Sequence, residues 1–159
     1  MRTFSILLGA MIFFAVPQIG SAQSSGGVMK KVTPDAMANM VRDFGYRAEV
    51  VQGEKSKYIR TAMAGYNVAI YLYGCAADGC DSAQMLTSFD SAPDLTIGLA
   101  NRWNTKFRYA HAYIDPADGD FYFEHDFAMT GITKEFVKEN LTLYENQLGR
   151  LVQFKKEGQ

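Results

Sequence analysis

The chain has 159 residues, with 16 lysines and arginines against 17 aspartates and glutamates and a formal net charge of −1. Hydrophobic residues make up 48% of it, which is enough for one domain with a buried core. The near-neutral charge and the scattered basic residues argue against nucleic acid or an anionic membrane surface as a partner, since both select strongly basic surfaces.

Residues 1–22 are predicted to be a secretory signal peptide. Arg2 supplies the positive start, Ile6 to Val16 form the apolar run, and Gly20 to Ala22 place small residues at the cleavage site. The alternative is a membrane anchor, but the apolar run is shorter than the roughly 18 residues that span a bilayer. No cysteine follows the cleavage site to carry a lipid. The sequence therefore predicts a periplasmic or secreted protein with no stable membrane anchor after cleavage.

Residues 23–32 are predicted to be a flexible leader that starts with a Gly/Ser-rich stretch, and the folded domain is expected to span 33–155. Its first helix begins after Thr33, a good N-cap, with Pro34 at the first helical position. Gly45 marks the end of that helix. The apolar residues between them recur at helical spacing: Met37, Met40, Val41 and Phe44.

Four β-strands are predicted next, at 46–52, 58–64, 66–73 and 82–89, because the apolar pattern changes to strict alternation. The short connections favour an antiparallel meander. In the third strand one face is apolar, and both faces are expected to be covered or nearly so. The apolar face carries Val68, Ile70 and Leu72, and the other carries Asn67, Ala69, Tyr71 and Tyr73.

A second helix is predicted to open at Pro93 and Asp94, with Leu95, Leu99 and Trp103 on one side. A closing hairpin follows, with strands 109–115 and 121–129 and an Asp/Pro/Gly-rich turn. The last helix begins after Thr133 and runs to the charged tail. The fold class is therefore α+β: a single domain with an antiparallel sheet and helices at the start, middle and end.

The two cysteines, Cys75 and Cys80, lie between two predicted strands and are expected to form a disulfide in an exported protein. Free thiols, a redox pair and a zinc site are the alternatives. A redox pair usually has two intervening residues at a helix N-terminus, whereas four residues separate this pair. A zinc site would need His111 and His125, which the expected register places on opposite sides of the sheet. No metal or cofactor is therefore predicted.

Tyrosines are the predicted binding residues. Tyr71 and Tyr73 share one strand face, and Tyr109 and Tyr113 are expected to share a face of the closing hairpin. If the two faces coincide, they form a partly apolar, hydrogen-bonding platform for a partner; if helices cover them, they are core. Trp103 is counted with these binding residues as a ligand stacker, although a lone tryptophan on a helix is more often a core anchor.

No catalytic constellation is predicted. The acidic residues around the closing hairpin do not match a calcium loop and are explained by turn chemistry; they are Asp115, Asp118, Asp120, Glu124 and Asp126. His111 and Glu124 are expected to face each other across the hairpin. This is read as a cross-strand pair, with an acid/base couple of a minor hydrolase as the alternative.

Three stretches in order resemble the YbjN family, bacterial proteins labelled sensory transduction regulators. They are Tyr71–Asp81, then Asn101-Arg-Trp-Asn with Ala112–Asp115, and finally Gly131–Thr133. The resemblance runs from about Thr33 to Leu151. It implies an α+β fold similar to that of type III secretion chaperones, which bind partner polypeptides and often form dimers, and it implies no catalytic residues.

The sequence and the resemblance together predict an exported, non-enzymatic, chaperone-like protein that binds another protein or a second copy of itself. The alternative is a periplasmic sensor of a small ligand or of envelope stress, with its pocket between a helix and the sheet.

Overall fold

The computed structural model describes residues 27–157, so the predicted signal peptide and the first four residues of the predicted leader lie outside the described residues. The helices are α1 (Pro34–Asp43), α2 (Ile97–Lys106) and α3 (Lys134–Glu157). The strands are β1 (Glu49–Gln52), β2 (Lys57–Met63), β3 (Tyr66–Tyr73), β4 (Ser82–Phe89), β5 (His111–Ile114) and β6 (Phe121–Ala128). The predicted α+β domain, with helices at the start, middle and end, is confirmed.

All six strands form one antiparallel sheet in the order β1-β2-β3-β4-β6-β5. The first four strands form the predicted meander. The closing hairpin then joins the sheet through β6, which pairs with β4, so β5 forms one edge of the sheet and β1 forms the other. Sequence alone did not predict this neighbour, because nothing in the hairpin's own pattern indicates where it docks.

The core lies between one face of this sheet and the helices. A row of buried cross-strand partners marks that face: Ile59, Ile70, Met85 and His125. Helix α3 packs against this face and contributes Tyr144 to the core. The Tyr144 hydroxyl lies 2.9 Å from both the Thr87 hydroxyl and the Phe123 carbonyl oxygen. The hydroxyl can donate to the carbonyl and accept from Thr87, which lets a phenol sit fully buried.

Three boundaries differ from the predictions by two residues or more. Strand β1 begins at Glu49, three residues later than the predicted start at Tyr46. Helix α2 begins at Ile97 rather than at Pro93 and Asp94, because the Thr96 side chain accepts a hydrogen bond from the Leu99 N–H at 3.1 Å and caps the helix there. Strand β5 begins at His111, two residues later than expected. Tyr109 precedes it with a φ of 76°, a left-handed conformation that a strand cannot contain.

The expectation that both faces of β3 are covered was wrong. Val68, Ile70 and Leu72 are buried as predicted, whereas Tyr73 on the other face is 49% exposed. In the part of the chain that the structure describes, helices lie over only one face of the sheet. The second face is therefore open to solvent.

The last part of the predicted leader is held against the domain rather than flexible. Met29 pairs with Ile132, and Val32 pairs with Cys80 through two backbone hydrogen bonds of 3.0 Å. Val32 is also buried in the core. The folded domain therefore begins by Met29, ahead of the predicted start at Thr33.

The predicted disulfide is confirmed: Cys75 and Cys80 are joined, with their Cα atoms 3.8 Å apart. It closes the turn between β3 and β4. Gly79 has a φ of 125°, and a side chain there would meet the backbone of Val32 at 3.0 Å, so the turn requires glycine. The bridge thus closes the turn of the central hairpin, and the backbone of Cys80 in that turn pairs with Val32 in the segment that enters α1.

The turn between β2 and β3 contains a residue under conformational strain. Ala64 and Gly65 form a two-residue hairpin turn in which both have positive φ, 50° and 84°. Such a turn favours Asn-Gly, because asparagine adopts the left-handed region at lower cost than alanine.

We expect Ala64→Asn to raise the free energy of unfolding by about 0.5–1 kcal/mol, measured by urea denaturation. Ala117→Asn is the control, because Ala117 is exposed in a turn without a positive φ. An equal gain in both variants would show that relief of strain at Ala64 is not the cause.

Candidate functional site

The open face of the sheet carries most of the tyrosines that the sequence singled out. We define it by the side chains that point away from the helices: Tyr58, Arg60, Tyr71, Tyr73, Gln84, Leu86, His111, Tyr113, Tyr122, Glu124 and Asp126. Strand alternation places them there, since each lies next to a residue that faces the core.

One aromatic cluster occupies β2 and β3. The rings of Tyr58 and Tyr71 are cross-strand partners with centroids 5.3 Å apart. Tyr73 lies beside them, and its hydroxyl donates to the Gln84 side-chain oxygen at 3.0 Å. With the turn between β1 and β2, at 53–56, these three rings line an open groove of about 470 Å³. We call this the β3 tyrosine cluster.

A second aromatic cluster occupies the other edge of the sheet. The Tyr113 ring stacks on Tyr122 at 5.4 Å and lies 6.2 Å from the His111 ring. Tyr122 donates a hydrogen bond to Asp118 in the closing turn at 2.8 Å. The arrangement follows from the register, because Tyr113 and Tyr122 are direct cross-strand partners. We call it the β5 tyrosine cluster.

Two carboxylates lie between the clusters. Glu124 accepts a hydrogen bond from the Tyr113 hydroxyl at 3.2 Å, and its other oxygen lies 2.7 Å from His111 Nε2. Asp126 is two residues along β6 and therefore on the same face. Burial raises the pKa of the Tyr73 phenol, and the negative charges of Asp126 and Glu124 raise it further. The centre of the open face is therefore electronegative.

The predicted tyrosine faces coincide in part. Tyr71 and Tyr113 point to the same side, but β4 and β6 separate their strands, and the register offsets them by four residues along the sheet. About 14 Å across the strands and about 13 Å along them place the two residues roughly 20 Å apart. They form two clusters rather than one platform. Tyr109 is 65% exposed, but it lies before β5 and so takes no part in the β5 tyrosine cluster.

The comparison with protein families agrees with the resemblance carried by the cysteine turn, the α2 segment and the start of α3. A family model described as "putative bacterial sensory transduction regulator" matches residues 33–153, more than half of the chain. The chain belongs to the YbjN family. No curated protein matches it in a sequence search.

In this YbjN domain Trp103 does not belong to the open face, so its prediction as a binding residue was wrong. Its side chain is fully buried, and its indole N–H donates to the Ala110 carbonyl oxygen at 2.9 Å. Asn104 beside it bonds the backbone N–H and carbonyl of Ala112, both at 2.9 Å. The Asn-Arg-Trp-Asn stretch therefore fastens α2 to β5, which is a structural role.

The two histidines diverge as predicted. His111 lies on the open face, whereas His125 is 6% exposed on the helix side. His125 Nδ1 lies 2.8 Å from the Tyr109 carbonyl oxygen, and Nε2 lies 2.8 Å from Asn140 Oδ1. This core network joins β6, α3 and the backbone of Tyr109 in the segment before β5.

The expected pocket between a helix and the sheet is small. The cavity at the end of α3 measures about 110 Å³, below the roughly 300 Å³ at which pockets for drug-sized ligands begin. It is lined by Tyr66, Phe89, Leu95, Leu151, Val152 and Lys155.

None of the helices within residues 27–157 has the length and apolar character of a membrane span.

Sequence reasoning found five residues that lie on the open face, Tyr71, Tyr73, Tyr113, His111 and Glu124. It did not assign Tyr58 or Asp126 to the site. Side-chain alternation along β6 could have placed Asp126 on the same face as the His111–Glu124 pair, because it puts Tyr122, Glu124 and Asp126 on one side of the strand. Tyr58 required the β2–β3 register, which sets it directly opposite Tyr71.

Proposed function

We propose that this YbjN protein is an exported, non-enzymatic binding protein whose open sheet face binds an extended polypeptide segment of another protein. The observation that carries the proposal is the pair of tyrosine clusters at opposite ends of a sheet face with no helix over it, among residues 27–157. Tyrosines combine a large apolar ring with a hydroxyl, and such residues are enriched at protein interfaces.

The spacing of the clusters suits a chain rather than a compact ligand. The two clusters lie roughly 20 Å apart on a diagonal across the sheet, a span that about six residues of extended polypeptide cover. A ligand that filled the groove of the β3 tyrosine cluster alone would not reach Tyr113. A polypeptide can place one side chain against each cluster and cross the sheet between them.

Export is supported by the disulfide, because such bonds persist in oxidising compartments. The predicted signal peptide also supports export.

A non-enzymatic role is supported by the hydrogen bonding of His111 and Glu124, the one acid/base pair that the sequence suggested. Glu124 pairs with His111 and accepts a hydrogen bond from Tyr113, and burial together with the charge and hydrogen bond of Glu124 raises the pKa of Tyr113 to about 12. A phenol of that kind is a poor nucleophile at neutral pH.

Ligand sensing by a pocket between helix and sheet is the weaker proposal, because the cavity there holds only about 110 Å³. The same tyrosine clusters could also bind the open face of a second copy of the chain. The experiment therefore distinguishes a second copy of the chain from another protein.

A photo-crosslinking residue at Tyr73, introduced in the native envelope, is expected to capture a polypeptide partner. The control position is Ile97, which is 65% exposed but lies on the helical side. Tyr71→Ala should reduce capture at position 73 at least about tenfold, since aromatic hot spots typically contribute about 2 kcal/mol or more.

Mass spectrometry identifies what is captured. One heterologous protein at Tyr73 and not at Ile97 would support the proposal, and a second copy would replace it by a homodimer. Equal capture at both positions, or capture that Tyr71→Ala leaves unchanged, would contradict binding by the open face.

A further inference from the structure

Three metal-ligating side chains converge at the centre of the open face. His111 on β5 and Glu124 on β6 are direct cross-strand partners, and Asp126 follows on the same face of β6. One ligand atom from each lies within 4.8 Å of the other two. Among the residues that the structure describes, this is the one group of histidine, cysteine and carboxylate side chains that meets this spacing.

The group carries negative charge that its neighbours do not balance. Within residues 27–157, the ion pairs of lysine and arginine involve neither Glu124 nor Asp126. Glu124 is only 9% exposed, so water offsets little of its charge. A neutral His111 leaves two adjacent carboxylates, whose charge a divalent cation would neutralise.

We propose that His111, Glu124 and Asp126 bind a divalent transition-metal ion, with Zn²⁺ as the best match. One imidazole and two carboxylates are ligands of zinc and its first-row neighbours. Calcium and magnesium take oxygen ligands and would make no use of His111. Three protein ligands leave one position of a tetrahedral zinc ion open, either to water or to a donor atom of a bound partner.

Only small side-chain movements are required. His111 Nε2 and Glu124 Oε1 lie 2.7 Å apart, joined by a hydrogen bond. Zinc bonds of about 2.1 Å in a tetrahedral geometry would separate two ligand atoms by roughly 3.4 Å. His111 and Asp126 are both exposed and can rotate to allow this. The proton on Nε2 moves to Nδ1 in the other neutral tautomer, so that the Nε2 lone pair faces the ion.

The surroundings favour this site over the other metal-ligating residues. The Tyr113 hydroxyl bonds Glu124 Oε2 at 3.2 Å, which orients the carboxylate and leaves Oε1 directed at His111. Both cysteines are joined in the disulfide. Both nitrogens of His125 are bonded within the core. No metal site was predicted from the sequence, because the zinc site considered there combined the two cysteines with both histidines and did not include the carboxylates.

The test is isothermal titration of Zn²⁺ into the full chain, purified without a histidine tag and stripped with a chelator. We expect saturable binding of one ion per chain. His111→Ala and Asp126→Asn should each weaken it at least about tenfold, given that loss of even an outer-shell partner typically costs 10–100-fold. Asp90→Asn is the matched control, because it removes an exposed carboxylate outside the group.

Circular dichroism verifies that each variant is folded. Binding that is saturable at one ion per chain, lost in both site variants and kept in Asp90→Asn supports the site. Absence of saturable binding, or binding that either site variant leaves unchanged, overturns it. Because no polypeptide partner is present in the titration, neither result depends on the proposed binding of a polypeptide.

Discussion

Replacing Trp103 with alanine is expected to lower the free energy of unfolding by about 3–5 kcal/mol, the largest effect of any change considered for this protein. Trp103 is fully buried, and its ring lies 4.3 Å from Phe107, 5.2 Å from Phe123 and 5.9 Å from Phe154. Alanine would leave a cavity at the junction of α2, α3 and β6. It would also leave the buried carbonyl of Ala110 without its hydrogen bond.

Far-UV circular dichroism in urea is the suitable measurement, because Trp103 is the only tryptophan and its fluorescence is lost with it. Tyr109→Ala is the control: the Tyr109 ring is 65% exposed, and its loss should change stability by no more than about 0.5 kcal/mol. Similar effects of the two substitutions would contradict the assignment of Trp103 to the core and of Tyr109 to the surface.

Removing the disulfide with Cys75→Ser and Cys80→Ala together is expected to cost about 2 kcal/mol of stability. The bridge closes a short loop of six residues, from Cys75 to Cys80, and the chain-entropy estimate for so short a loop is of that order. Alanine is chosen at Cys80 because that side chain is 2% exposed, whereas Cys75 is exposed and accepts serine. Urea denaturation under oxidising conditions measures the difference.

Treatment with a reductant provides the matched control. It should destabilise the wild-type chain by about the same 2 kcal/mol and leave the double variant unchanged. If the wild-type chain does not respond to reduction, the bridge contributes nothing to stability.

The elements themselves could be read from local sequence. Thr33 and Pro34 start α1 where predicted, because the Thr33 hydroxyl accepts a hydrogen bond from the Ala36 N–H at 3.2 Å. Strands β3 and β4 match the predicted ranges residue for residue. At the start of α2, a short-range hydrogen bond from Leu99 N–H to the Thr96 side chain set a boundary that the pattern had placed earlier.

The candidate site was predicted less completely. Tyr71, Tyr73 and Tyr113 were identified from alternation within their own strands, and all three lie on the open face. Trp103 was assigned to binding only because an isolated tryptophan fits either role. Its burial results from contacts with α3 and β6, which lie far away in sequence.

By itself the sequence determined the fold class, the disulfide, the family and the alternation that divides each strand into two faces. The family follows from the resemblance of three stretches, whereas the other three are local properties, governed by capping, by side-chain period and by short connections. Only the tertiary structure decided which face of the sheet the helices cover and that β6 docks beside β4. Both features depend on packing between segments that are distant in the chain, which local sequence patterns do not encode. Together they place Asp126 and Glu124 between the tyrosine clusters.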